Sequence, residues 1–277
     1  MGAFADKVIV STEEMVGSAH ATKSDTLNRH ALVSLGNTGD LISLPGALVR
    51  PTFAWKDADE IYIGSGAYHL QGTDEIIVYW DSQLTFQIAG AGASECRYVY
   101  IDNSAVQSGA SRLLTASEFT HTTSAPTYSE SKHGFYNGLD RCIFGIRTDG
   151  SGNILEFHHT GNLVKYATLI NSFASANPDQ TFVDEVTLAV PAFCREVLTT
   201  FEWVYGNGNA YLAYRTEGQT DGTGHNVLYV TAASTIGMTT IPVICSSNLK
   251  IDIKEVAAVT TNQAAVYTAG WFLPNGM

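Results

Sequence analysis

HGFYNGLDRCIFGIRTDGSGNILEFHHTGNLVKYA, residues 133–167, carries the clearest strand-and-turn pattern in the chain. Cys142, Phe144 and Ile146 alternate with Arg141, Ile143, Gly145 and Arg147, which is the two-residue period of a strand. Asp149-Gly150-Ser151-Gly152-Asn153 follows, with glycines that accept positive φ and with Asp and Asn side chains that bond their own backbone, as a tight reversal demands. The next run places Leu155 and Phe157 on one side and Ile154, Glu156 and His158 on the other. Thr160-Gly161-Asn162 then turns the chain into Leu163-Val164-Lys165-Tyr166. Strand, turn, strand, turn and strand predict an antiparallel meander. The stretch holds no nucleophile beside a base, no phosphate loop and no paired thiols, so it reads as scaffold.

Working outward, the pattern repeats. Residues 61–63, 67–70, 76–80, 84–88 and 97–102 read as short strands broken by Gly, Ser and Asp. In the last of them Tyr98, Tyr100 and Asp102 share one face and Val99 and Ile101 the other. Residues 113–119 suit a single helical turn, and 120–132 form a long polar loop containing Pro126, of the kind that binds something or is held by a partner. Beyond the centre, a strand over 183–190 stops at Pro191. Val197, Thr199, Phe201, Trp203 and Tyr205 share a face of a long strand ending at Gly206-Asn207-Gly208, and 211–215 return antiparallel to it. Leu249, Ile251 and Ile253 against Lys250, Asp252 and Lys254 give the cleanest half-buried strand, and Val266-Tyr267 with Gly270-Trp271-Phe272-Leu273 close the chain. Strands with turns at this spacing predict an all-β fold of antiparallel, jelly-roll-like sandwich regions.

Residues 1–58 differ. Lys7-Val8-Ile9-Val10 reads as a strand, Ser11 with Glu14 as a helix start, and 24–33 as a second short helix with Leu27 and Ala31 four apart. Neither helix carries enough apolar surface to stand alone. The segment is either an arm docking on a neighbouring subunit or a piece folded back on its own domain. The expected organisation is therefore a short mixed N-terminal attachment arm (1–58), a first β region with a long polar loop (59–132) and a C-terminal β-sandwich (133–277).

The formal net charge of −12 and the 15 scattered Lys and Arg argue against nucleic-acid binding, which needs clustered cations to release counterions. Charged residues make up only 15% of the chain, against an ordinary quarter, and Thr, Ser, Asn and Gln take the surface positions. That balance suits strands, and surfaces covered by neighbours in an assembly. Cys96, Cys142, Cys194 and Cys245 lack the spacing of a zinc site. They read as four free thiols of a protein folded in a reducing cytoplasm, with two disulfides as the alternative. The N-terminal residues show no basic-then-apolar secretory pattern, and no long apolar window spans a membrane, so a soluble chain without membrane insertion is expected.

Candidate chemistry is thin, and no catalytic residue, metal or cofactor is expected. Gly90-Ala91-Gly92 has Glu95 where the dinucleotide fingerprint wants a third glycine. Counting a calcium loop from Asp149 puts Thr160 where a bidentate Glu belongs. His158 and His159 are adjacent on a strand and so point to opposite faces. No Gly-x-Ser-x-Gly elbow occurs. His121, Tyr128, His133 and Tyr136 around the polar loop form a candidate surface binding loop for a glycan or receptor, against the plainer reading of an ordinary loop.

Several strings together resemble virion structural proteins of tailed bacteriophages, in particular tail-fibre and related appendage proteins. They are Tyr98-Val99-Tyr100-Ile101-Asp102, Leu114-Thr115-Ala116-Ser117-Glu118-Phe119, Ala125-Pro126-Thr127-Tyr128, Gly138-Leu139-Asp140-Arg141-Cys142-Ile143-Phe144 and Asp149-Gly150-Ser151-Gly152-Asn153-Ile154. The closing Gly270-Trp271-Phe272-Leu273-Pro274-Asn275-Gly276-Met277 resembles their C-terminal ends. The resemblance covers about residues 60–277. It implies a non-enzymatic homo-oligomer, commonly a trimer, assembled in the host cytoplasm and residing in the virion. A tail or head fibre is the first reading, a capsid decoration protein the second, and a carbohydrate-binding or carbohydrate-active module the third. Expected partners are further copies of the chain, other virion proteins through the arm, and a host-surface glycan. Leu27, Leu32, Trp203, Trp271 and Phe272 are the candidate assembly residues.

Overall fold

A computed structural model describes residues 47–71, 75–109, 111–175, 179–205, 210–220, 224–230, 235–256 and 263–277. The fold is all-β, built of antiparallel sheets in a sandwich-like arrangement. Early in the chain come β1 (Ala47–Val49), β2 (Phe53–Trp55), β3 (Glu60–Ile63), β4 (Gly66–Gln71), β5 (Glu75–Trp80) and β6 (Leu84–Gln87). They form two small sheets, ordered β1-β4-β5 and β2-β3-β6. Next are β7 (Cys96–Ile101), the helix α1 (Asn103–Ser108), β8 (Phe119–Thr122), β9 (Thr127–Ser129), β10 (Gly134–Asn137) and β11 (Asp140–Arg147), whose strands make a sheet ordered β8-β7-β11-β10-β9. The rest of the chain gives β12 (Phe157–Thr160), β13 (Leu163–Ser175), β14 (Asp184–Thr187), β15 (Glu196–Tyr205) and β16 (Ala210–Thr216), then β17 (His225–Val230), β18 (Thr235–Ile244), β19 (Lys250–Val256) and β20 (Gln263–Phe272). These form a sheet ordered β12-β13-β20-β15-β18 and another ordered β14-β19-β16-β17.

The predicted turn at 149–153 forms, with Asp149 Oδ1 accepting from the Ser151 and Asn153 N–H groups at 2.8 and 2.9 Å. It does not close a hairpin. β11 pairs with β7 and β10, and β12 pairs with β13 in a different sheet. After a single Thr148–Ile154 bridge, flanked by bonds from Asp149 N–H to Asn153 O and from Leu155 N–H to Arg147 O, the chain leaves its partner, and Ile154 turns its own groups to another segment. Its N–H donates to Ala58 O at 2.7 Å and its carbonyl accepts from Trp55 Nε1 at 3.1 Å. The second predicted turn is a true hairpin, with Thr160 opposite Leu163.

The same correction applies to 211–215. β15 pairs with β18 and β20, whereas β16 pairs with β17 and β19. The two strands face each other across the sandwich, where the Phe201 and Tyr214 rings meet at 5.6 Å. The long polar loop 120–132 is also partly sheet: it holds β9 and all of β8 but Phe119, the two edges of the five-stranded sheet. The expected helical turn is a 3-10 turn over Ala116–Glu118, closed by a reciprocal Thr115–Glu118 capping box.

Both faces of β7 are buried, since Tyr98, Val99, Tyr100 and Ile101 are all enclosed. The tyrosine hydroxyls are satisfied, Tyr98 accepting from Ala192 N–H at 3.0 Å and Tyr100 donating to Ser124 O at 2.6 Å. β19 is likewise more than half buried, because Asp252 and Glu255 join Ile251 and Ile253 in the interior. Its charged face is covered by Phe182, whose ring lies 4.4 Å from both the Arg215 guanidinium and Lys254 Nζ, while Asp252 pairs with Arg215 at 3.0 Å.

One apolar core runs from Phe53 to Met277, so neither residue 58 nor residue 132 is a boundary. β1 and β2 lie before 58, yet the Phe53 ring stacks on Phe144 at 3.9 Å. The five-stranded sheet uses strands from both sides of 132. Gly145 shows how closely the parts approach, since a Cβ there would meet Pro191 Cγ at 2.9 Å and the Phe193 ring at 3.0 Å.

Candidate functional site

The loop residues that the sequence grouped do not form one surface. His121 sits on β8 and Tyr128 on β9, at opposite edges of the five-stranded sheet. The His121 ring packs edge-on to Phe86 at 6.0 Å, and burial, reinforced by Arg97, lowers its pKa. Tyr128 is exposed and leans on Phe135 at 5.2 Å. His133 is in the β9–β10 turn with φ of 47°. Tyr136 faces inward, fully covered, and its hydroxyl accepts from Arg141 Nη1 at 2.9 Å. Of the four only Tyr128 is exposed, and His133, in the turn that follows its strand, is half-buried.

The assembly residues fare similarly. Trp203 and Trp271 are completely buried in this chain's own core. Trp271 packs against Tyr166 at 5.1 Å and Phe144 at 6.4 Å. Both are therefore core aromatics rather than interface ones. Phe272 is half-buried. Leu27 and Leu32, with the rest of residues 1–46, lie outside the described residues.

Other features prove structural. His158 and His159 do point apart. His159 Nδ1 accepts from Phe53 N–H at 3.0 Å, which puts the proton on Nε2 facing Gly161 O at 3.0 Å. Burial holds its pKa below the ordinary value. Asp57, Asp59 and Glu60 bring carboxylate oxygens within 4.8 Å of one another. Glu60 is engaged by Lys56, and Asp57 accepts from the Asp59 and Glu60 N–H groups, which makes the cluster a self-bonded turn. All four cysteines are free, and burial pushes the thiol pKa values of Cys142, Cys194 and Cys245 up.

Arg141 is fully enclosed. Among the described residues no carboxylate pairs with it; Tyr136 OH and Gly276 O at 2.7 Å accept its protons, and its guanidinium lies 5.1 Å from the Tyr68 ring. Arg50 donates to Met277 O at 2.6 Å and Pro274 O at 3.2 Å. The two arginines clasp the closing segment against the first sheets.

The surface that remains is one the sequence reading missed. β18 is the edge of its sheet, and Ile236, Met238 and Ile244 on its outer face are 64%, 57% and 55% exposed. On the same face of the neighbouring strands Glu202, Gln263, Ala265 and Tyr267 line an open hollow of about 340 Å³, with Tyr267 OH donating to Glu202 at 3.4 Å. The missed signal was the alternation of Ile236, Met238 and Ile244 through a run without a charge, disguised by Gly237 and Pro242.

No family model matches the chain, and no curated protein matches it. Among solved structures, a chain of "Structure of infectious bursal disease virus Gx strain" aligns at 12% identity over 82% of this chain and 73% of its own, with a TM-score of 0.15. A score of that size carries no argument about fold or function.

Proposed function

We propose that this chain is a non-enzymatic structural component of a bacteriophage particle, a tail or head fibre or related appendage protein serving assembly and host-surface attachment. The observation that carries the reading is the outer face of the β18 sheet, where a long edge strand presents Ile236, Met238 and Ile244 to solvent in a chain of net charge −12. Exposed apolar rows on edge strands are normally blunted by charge, and they persist where another chain covers them. The phage-like strings quoted above point the same way. In this reading the chain is a homo-oligomer, a trimer on the family pattern, held to other virion proteins through its N-terminal residues and assembled in the host cytoplasm. A capsid decoration protein would have the same features.

Light scattering of the purified chain, with and without residues 1–46, followed by cosedimentation with phage particles, tests the proposal. A stable oligomer that sediments with particles supports an appendage, and a monomer that loses particle binding on truncation points to decoration. A monomer indifferent to truncation that never sediments with particles overturns both. The Tyr267–Glu202 hollow supports a second reading as a carbohydrate-binding module, because an aromatic face beside polar groups suits a sugar. Polysaccharide turnover by the purified chain would overturn the non-enzymatic reading.

A further inference from the structure

We infer that β18 is the contact by which a second copy of this chain docks, the two strands running antiparallel across a two-fold axis centred on Met238. The inference deepens the assembly reading above and rests on it.

Backbone parity shows which groups are free. Cys245 N–H donates to Arg195 O on β15's side at 2.9 Å, so the odd-numbered residues of β18 bond inward to β15. N–H and C=O directions alternate along a strand, so the even-numbered residues present theirs to the open edge. Pro242 agrees, since a proline has no donor to lose there. Ile244 O is already taken by the Thr216 hydroxyl at 2.7 Å. What remains for a partner is the stretch Ile236, Met238 and Thr240. Among the described residues no strand is hydrogen-bonded to this edge, although β17 of the facing sheet approaches β18.

Charge argues that the partner is this chain itself. Two copies with a formal charge of −12 each repel over most of their surface. β18, Thr-Ile-Gly-Met-Thr-Thr-Ile-Pro-Val-Ile, has no ionisable residue, so its face can approach a copy without opposing like charges. Placing the axis on Met238 sets Ile236 against Thr240 and Met238 against Met238, and the outward donors of both strands find acceptors. The nearest acidic side chain inward is Glu202, which is paired with Met238 on β15. Across the axis two Glu202 carboxylates would be three strand spacings apart, ~14 Å, beyond the ~8 Å screening length of physiological salt. The opposite edge of the sheet, the short β12, lacks these features and carries His158 and His159. Such a contact is isologous, so it closes as a pair. It joins two chains, or two trimers if the chain also trimerises elsewhere.

The experiment uses the full chain. Sedimentation and light scattering should show an assembly whose mass falls by half in Met238→Lys and in Ile236→Lys, each of which sets lysines at or beside the axis. Both positions are exposed, so melting temperatures should stay within a few degrees of the parent. In a second test, Met238→Cys should become covalently linked in pairs under mild oxidation, because opposed residues in such a ladder lie ~5.5 Å apart at Cα, within disulfide reach. Cysteine placed instead at the exposed Val183 should not link. A parent that stays single at every concentration, an assembly unchanged by both lysine variants, or no link through M238C overturns the inference. Incorporation into particles by an M238K chain would leave the particle reading standing while β18 failed. Pairing through β18 by a chain that never joins particles would do the reverse.

Discussion

His159 shows how one side chain makes stability depend on pH. Its neutral form accepts from Phe53 N–H, and burial, aided by Arg50, lowers its pKa from 6.5, although the Gly161 carbonyl pulls the other way. The unfolded chain then binds more protons than the folded one at mildly acidic pH, so stability rises with pH through that window. It is fully present above 6.5 and is lost as pH falls toward the folded value. His121 has the same sign. Denaturant midpoints should therefore fall between neutral pH and pH 5, and His159→Gln should flatten part of that slope; a slope unchanged in the variant would count against this role. Arg141 is the second decisive residue. Arg141→Ala strips partners from Tyr136 OH and Gly276 O and leaves a cavity, so a loss of about 3–5 kcal/mol in urea unfolding is expected.

At the scale of elements, the corner after β11 is tied to the β2–β3 segment through Ile154, whose N–H donates to Ala58 O at 2.7 Å. Trp55→Phe keeps an aromatic side chain but removes the pyrrole part of the indole with its Nε1–H bond to Ile154 O, and should cost about 1–2 kcal/mol in chemical denaturation. The short α1 depends on its cap: Asp102 Oδ1 accepts from Ser104 and Ala105 N–H at 2.8 and 3.0 Å. Asp102→Ala should cost about 1 kcal/mol by the same measurement. Burial alone would raise the Asp102 pKa, but these donors hold it below the ordinary value, so the cap's contribution fades only in strongly acidic solution. The turn at 149–153 was legible in the sequence, whereas α1 was not, because Asp102 read as the last residue of the preceding strand. Which strand came next in space was not legible either, because a turn sets a reversal of direction and leaves open whether the following strand joins the same sheet.

For the whole molecule, the single core makes a prediction about truncation. Removing residues 1–46 leaves every described element in place, and the product should melt cooperatively. Removal through residue 58 takes β1 and β2, and with them the Phe53 ring stacked on Phe144. Loss of a buried Phe alone costs about 3–5 kcal/mol, comparable to the ~5–15 kcal/mol total stability of a domain. That shorter chain should be unfolded or insoluble by circular dichroism and solubility; a cooperative melt matching the parent's would show that β1 and β2 are dispensable.

By itself the sequence determined the all-β class, most strand positions and the local turns, because the two-residue period and the conformational demands of Gly, Asp and Asn act over a few neighbouring residues. The tertiary structure decided what those local rules do not reach. It assigned β11 and β12, and again β15 and β16, to different sheets. It sent Trp203, Trp271 and Tyr136 into the core, covered the charged face of β19 with Phe182, and left β18 open at an edge. Burial and edge position depend on what packs from far along the chain, and an aromatic residue on a strand has the same local pattern whether its cover is its own core or a neighbour.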